Sequence, residues 1–278
     1  MLTFRHAARS DIGLWRQANQ DSAIATDRLL AVADGMGGHA GGDVASSIAI
    51  NCLVCMDRTL DATPIAALDR AVEAARSELR ARADSVPGLT GMGTTLTAIL
   101  LDRRRIALAH IGDSRAYLLR SGRLHQLTVD HTMVRALVED GYITVEQAAG
   151  HSHRSVLTKA LDAMGAAEPD VSLHEVQPAD RFLLCSDGLS GIVPAEKLQQ
   201  VLTGCAEPVR AVEELINLAY LKGAPDNVTC IVADVLDDPN PAPGTARHEA
   251  RGGSVTTPAP LGAAGGSSDP SGSAGSPM

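Results

Sequence analysis

The sequence has no surplus of positive charge, no long apolar run and few cysteines, and each shortage excludes something. Its 24 Lys and Arg face 33 Asp and Glu, a net charge of −9. A nucleic-acid or anionic-membrane surface needs a basic stripe to displace counterions, so neither partner is expected. No stretch approaches the roughly 20 uncharged apolar residues that cross a bilayer. Met1 to Ser10 has neither an apolar segment between its charges nor a cleavage-like site, so no secretory signal is read there. Five cysteines are too few, and odd in number, for a disulfide framework. No internal repeat occurs. What remains is an acidic, soluble, cytoplasmic globular protein, expected to be a monomer.

A composition break divides the chain. From Pro239 to Met278 it turns to Pro, Gly, Ser, Ala and Thr, with few large apolar side chains. Such a segment cannot bury enough surface to offset its ordering entropy, so residues 239–278 are expected to be a disordered tail behind a folded domain of residues 1–238. Within that domain, β-rich runs are predicted at Arg28–Ala33, Thr94–Leu101, Arg105–Ile111, Arg115–Leu119, Val171–Glu175, Arg181–Cys185 and Val228–Val235. A Ser121-Gly122 turn makes Ala116–Arg120 and Arg123–Leu127 a hairpin. Helical periodicity covers Asp43–Met56, Pro64–Ala83, Thr132–Glu139, Thr144–Ala149, Ala195–Leu202 and Val209–Leu221. Strand follows strand from Gly93 to Leu127, and two helices run consecutively before them. The pattern is α+β, a β-sandwich with helices outside, rather than a βαβ alternation.

The most informative segment runs from Leu29 to Asp43. An apolar strand ends in Asp34, a glycine-rich turn follows, and a helix begins near Gly42. Gly35-Met36-Gly37-Gly38-His39-Ala40 fits the dinucleotide fingerprint locally. That reading fails further on, because the next 25 or so residues hold a second helix where a Rossmann unit requires a parallel strand ending in an acid about 20 residues on. A hard divalent cation also suits an aspartate at a strand end beside glycine backbone, since carboxylate and carbonyl oxygens favour Mg²⁺ or Mn²⁺. Further aspartates recur in that setting: Asp113 in Ile111-Gly-Asp-Ser-Arg, Asp187 in Leu183-Leu-Cys-Ser-Asp-Gly, Asp226 in Ala224-Pro-Asp-Asn, and Asp21 after Asn19-Gln20. Each alone is a common turn former. Five together, gathered by sandwich loops, would repel one another unless cations neutralised them.

The ordered series Arg16-x-x-Asn-Gln-Asp21, Asp34-Gly-Met-Gly-Gly-His39, Gly93-Thr-Thr, Gly112-Asp-Ser-Arg115, Leu157-Thr-Lys-Ala-Leu161, Ser186-Asp-Gly188 and Asp226-Asn227 resembles the metal-dependent protein phosphatases of the PP2C (PPM) family, its compact bacterial branch in particular. The resemblance runs from about Arg9 to Asp234. It implies an α-β-β-α sandwich of two antiparallel sheets flanked by helices. It also implies two core Mn²⁺ or Mg²⁺ ions, and hydrolysis of phosphoserine and phosphothreonine in proteins by an activated water attacking phosphorus in line. Carried over, Asp34 would bridge both ions, Asp187 and Asp226 would complete the first site, the Gly35 carbonyl would serve the second, and Asp21 would act through water. Asp113 matches the aspartate of a third, weaker ion, and Arg16 the phosphate-gripping arginine. The substrates would be phosphorylated proteins, a serine/threonine kinase among them.

Two positions depart from many eukaryotic members: Gln20 stands where they carry Glu, and Met36 where they carry a histidine after Asp-Gly. His39 is then the available proton donor. Other candidates read as structural. Cys52-x-x-Cys55 is expected to pack in the core, and His151 and His153 to decorate a loop. Asp130 to Arg154 corresponds to the family's flap beside the active site.

Overall fold

The computed structural model describes residues 1–37, 41–58, 62–165 and 167–237. The expected tail, and with it the boundary at residue 238, lies outside them. The strands in chain order are β1 (Leu2–Asp11), β2 (Asp21–Ala25), β3 (Leu29–Met36), β4 (Gly93–Thr94), β5 (Leu96–Asp102), β6 (Arg105–Ile111), β7 (Arg115–Arg120), β8 (Arg123–Gln126), β9 (Leu161–Asp162), β10 (Asp170–Glu175), β11 (Arg181–Cys185) and β12 (Val228–Asp237). The helices are α1 (Gly42–Arg58), α2 (Pro64–Ser85), α3 (Met133–Glu139), α4 (Val145–Ala149), α5 (Asp187–Ser190), α6 (Ala195–Gly204) and α7 (Pro208–Leu221).

One sheet has the order β1-β12-β11-β7-β8; the other runs β10-β6-β5-β3-β4-β9, with β2 paired to β3. All pairings are antiparallel. Period-two alternation sorts each strand between two cores. On β3, Leu30 and Val32 meet Phe182, Leu184, Ile231 and Ala233 between the sheets. Leu29, Ala31 and Ala33 face the other way, onto α1 and α2. Leu183, Cys185, Cys230 and Val232 turn outward onto α6 and α7. Three apolar layers therefore separate four structural layers, the expected α-β-β-α sandwich. Helix starts obey capping chemistry: Thr63 accepts from the Ala66 amide ahead of Pro64, and Thr144 with Gln147 forms a capping box on α4.

Three strands lie outside the sequence prediction: β1, β2 and the two-residue β9. β1 carries Arg5, Arg9 and Asp11, and only Leu2 and Phe4 are buried along it, because it is an edge strand with a single neighbour, β12. β2 is short and largely half-buried. One side-chain expectation is corrected. Cys52 is half-buried against the α1–α2 core, but Cys55 is exposed. Three residues on, the helix has turned about 300°, off the stripe of Ala45, Ala49 and Leu53. Both thiols border a cavity of about 910 Å³ between α1 and α2, which touches none of the five aspartates.

Candidate active site

Strand direction puts the expected site at one mouth of the sandwich. Asp34 continues the Leu30–Val32 parity at the end of β3, and Asp21 begins β2 directly opposite it in register. Asp187 follows β11 across the gap, and Asp226 precedes β12 on the same side. Asp113 lies on the β6–β7 connection, where the chain crosses from one sheet to the other. Five segments thus bring five carboxylates to one end of the fold.

The supporting bonds are specific. The Thr95 hydroxyl accepts from the Asp34 amide at 2.9 Å and bonds the Ser114 hydroxyl at 2.8 Å, tying the Asp34 and Asp113 loops together. The Thr94 hydroxyl donates to the Asp34 carbonyl at 2.9 Å. Gly35 sits so close to the start of α1 that an added Cβ would lie 1.9 Å from the Gly42 carbonyl oxygen, so only glycine fits there. Ser186 donates to Asp21 Oδ2 at 2.8 Å, a bond across the mouth between the two sheets. Asn227 joins three segments: its Oδ1 accepts from the Gln20 amide at 2.9 Å, and its Nδ2 donates to the Ile12 and Ala18 carbonyls at 3.0 Å each. Ser186, Thr95 and Asn227 were given no role from the sequence, since isolated Ser, Thr and Asn at strand ends read as turn residues. Thr95 had one signal, a polar side chain inside an apolar strand run.

Burial shapes the electrostatics. Asp21 is pushed up to about 7 by desolvation, with Asp187 and Asp226 adding like charge. Desolvation likewise lifts Asp113 to about 7, helped by Asp187 and Asp130. Asp34 is raised well above the carboxylate range by burial and then by Asp21, Asp187 and Asp113. Asp187 is raised by burial and Asp226, and relieved by its hydrogen bond with Asp34. Arg16 is the cation at the rim, its Nη2 2.7 Å from Asp226 Oδ2, with the charges of Asp34 and Asp187 also acting on it. Among the described residues no three His, Cys, Asp or Glu side chains are drawn together as they would be round an ion. Yet the donors are hard oxygens, and Asp21 Oδ1 is buried without a hydrogen-bond partner. Those are the features a Mg²⁺ or Mn²⁺ centre needs, and the residues fit one. His39 lies outside the described residues.

Beside this mouth is a cavity of about 630 Å³, bordered by Asp113 and Asp187 on one side and by Val134, Val138, Val145 and Arg154 of the flap on the other. Its floor is the Arg115–Asp130 pair, with Nη2 to Oδ2 at 2.6 Å and Nε to Oδ1 at 2.8 Å. The flap leaves and rejoins the body through one bridge, Thr132 to Leu157. The Asp170 carboxylate holds both ends: Lys159 Nζ donates to Oδ1 at 2.8 Å, and His131 Nε2 lies 3.1 Å from Oδ2. His131 Nδ1 in turn accepts from the Gly112 amide at 3.1 Å, one residue from Asp113. His151 and His153 meet on the exposed turn after α4, their rings 5.5 Å apart.

A two-sheet sandwich with aspartates at one mouth defines the class, and sequence comparison supplies the family: residues 15–221 match the model of protein phosphatase 2C. The chain belongs to the protein phosphatase 2C family. It is 49% identical over 240 residues to the serine/threonine protein phosphatase PstP of Mycobacterium tuberculosis, covering 85% of this chain and 46% of that protein. The chain thus spans about half the length of that curated relative. The serine/threonine phosphatase stp of Listeria innocua is 33% identical, covering 81% of this chain and 94% of that one. Among solved structures, the catalytic domain of PstP in complex with two manganese ions superposes with a TM-score of 0.80 at 47% identity, covering 85% of this chain and all of that one.

Proposed function

We propose that this protein hydrolyses phosphoserine and phosphothreonine in other proteins, with Mn²⁺ or Mg²⁺ as cofactor. The observation that carries the reading is the set of buried like charges at the mouth, all oxygen donors, left without an arginine for each. Asp34, Asp187 and Asp226 would hold one ion. Asp34 and the Gly35 carbonyl would hold a second, with Asp21 acting on its water shell, and Asp113 would take a third, weaker one. When bound, such ions supply positive charge against the phosphoryl oxygens and acidify the attacking water. Arg16 does the rest of the anchoring. It exchanges its bond to Asp226 for charge-assisted bonds to the non-bridging phosphate oxygens. Asn227 and Ser186 keep Asp226, Asp21 and the Gln20 amide in register so that the carboxylates cannot spread.

The same reading assigns residues 1–238 as the catalytic unit, working as a monomer in the cytoplasm to reverse a serine/threonine kinase. Five cysteines, none of them in a disulfide, suit a reducing compartment, and no helix of the described residues is long and apolar enough to cross a membrane. The test is release of phosphate from a phosphothreonine peptide and from p-nitrophenyl phosphate with Mn²⁺, with and without EDTA. Release that ignores EDTA, or no release at all, would overturn it. A chain ending at Asp238 should perform like the full chain.

A further inference from the structure

The chain has one tryptophan, and burial would be its ordinary fate, since an indole is a large apolar surface. Trp15 is instead 78% exposed, beside Leu14 at 61% and Ile12 at 37%. This exposure does not come from a loose loop. The Leu14 amide donates to the Ala224 carbonyl at 2.9 Å, and the Ile12 and Ala18 carbonyls are both held by Asn227. Gly13 has φ +75°, and a Cβ there would lie 2.1 Å from the Asp226 carbonyl oxygen, so the turn is seated on the segment that carries Asp226. The indole N–H has no partner among the described residues. The next residue is Arg16, whose guanidinium reaches Asp226. A well-anchored turn therefore presents a bare aromatic ring one residue from Arg16, the guanidinium bonded to Asp226.

We propose that Trp15, with Leu14 beside it, is a recognition platform for an apolar side chain of the phosphoprotein substrate, near the phosphorylated residue. The proposal rests on the phosphatase reading. Adjacent Cα atoms are about 3.8 Å apart, and an extended peptide advances roughly 3.3 Å per residue. With its phosphate at Arg16, such a peptide brings the first few flanking positions within reach of the ring. An apolar flank removes water from both surfaces. A glycine flank gains nothing there. Trp15 is a specificity residue; it does not enter the chemistry.

The experiment uses the full chain with Mn²⁺ and two phosphothreonine peptides, identical except for leucine or glycine at the flanking positions. The wild type should favour the leucine peptide about tenfold in kcat/KM, mainly through KM, the effect of one partly buried leucine. Trp15→Ala should erase that preference, and Trp15→Phe should keep most of it. A leucine peptide whose phosphate is a non-hydrolysable phosphonate should shift the fluorescence of the single indole, and the glycine version should shift it far less at equal concentration. An unchanged preference in Trp15→Ala, or an indole that does not respond at saturation, overturns the platform. So does a Trp15→Ala variant that alters sedimentation with no change in preference, which would assign the ring to contact with a second copy. Wild-type release from both peptides without selectivity sinks the platform alone. No Mn²⁺-dependent release, from the peptides or from p-nitrophenyl phosphate, sinks the phosphatase reading and the platform with it.

Discussion

The two ends of β11 and β12 hold buried aspartates in opposite circumstances. At the end away from the mouth, Asp234 meets Arg181 through bonds of 2.5 and 3.0 Å, and Asp180, 1% exposed, meets Arg120 through bonds of 2.7 and 2.6 Å. Arg181 also donates to the carbonyls of Leu202, Cys205 and Ala206, so its donors are well used. At the mouth, Asp21, Asp34, Asp113 and Asp187 share one another's repulsion, and Arg16 answers Asp226. Asp180 and Asp234 are structural because an arginine is bonded to each, whereas among the described residues no arginine is bonded to Asp21, Asp34, Asp113 or Asp187, which leaves that end ready for a cation. Leaving carboxylates unmatched costs stability, which the fold accepts at one end only.

The largest effect should come from the mouth. Asp34→Asn, Asp187→Asn or Asp226→Asn should each cut turnover on a phosphothreonine peptide by ~10³-fold or more, since each weakens the charge that retains the ions. In EDTA the Asp34→Asn protein should melt no lower than the wild type, because a repelling charge has gone. Near-wild-type turnover of Asp34→Asn at saturating Mn²⁺ would break the comparison. The opposite end should behave in reverse. Asp234→Ala leaves Arg181 buried without its partner and should cost about 3–5 kcal/mol in denaturant unfolding, with or without metal. A loss below about 1 kcal/mol would make that pair dispensable.

Arg16→Ala comes next, with a fall of ~10²-fold expected on the peptide and on p-nitrophenyl phosphate alike, because the phosphoryl group is common to both. His39→Ala should separate them if that residue donates the proton. A nitrophenolate leaves unaided, whereas an alkoxide needs help worth ~10²–10⁴-fold. Equal losses on both esters would assign His39 to positioning.

The smallest effect is in pH. Asp21 and Asp113 titrate near 7 in the fold against an ordinary 3.8. The native state therefore holds more protons than the unfolded chain in that range, and its stability is lost as pH rises through about 7. In EDTA, unfolding free energy should increase by roughly 1–2 kcal/mol between pH ~8 and ~6.5. Below 6.5 the buried His110, lowered to about 4 by desolvation and then by His131, works the other way. Saturating Mn²⁺ should remove or invert the first slope, as bound ions favour the ionised carboxylates. A metal-free protein whose stability rises with pH from 6.5 to 8 would contradict the unmatched cluster.

Much of this was legible in the sequence. The fold class followed from strands succeeding strands and from clean apolar alternation, and the five aspartates from their places beside Gly, Pro or Asn at strand ends. β1 was not legible because an edge strand buries one stripe thinly, and its Arg5 and Arg9 broke the alternation. Nor could the arginine partners of Asp180 and Asp234 be read, since one lies 60 residues and the other 53 residues away. The roles of Asn227 and Ser186 depend on which loops meet, which local pattern does not encode. The chain positions of the aspartates were plain; which of them would be neutralised was not.

One feature of the flap reaches into how such proteins diversify. Thr132 pairs with Leu157, and Asp170 ties His131 to Lys159 across the same opening. The intervening segment starts and finishes at one fixed point on the sandwich. A segment closed in this way can change in length at little thermodynamic expense, roughly 0.6 kcal/mol for each doubling. It is an interchangeable part: a chimera carrying another family member's segment between Thr132 and Leu157 should unfold within a few degrees of its parent.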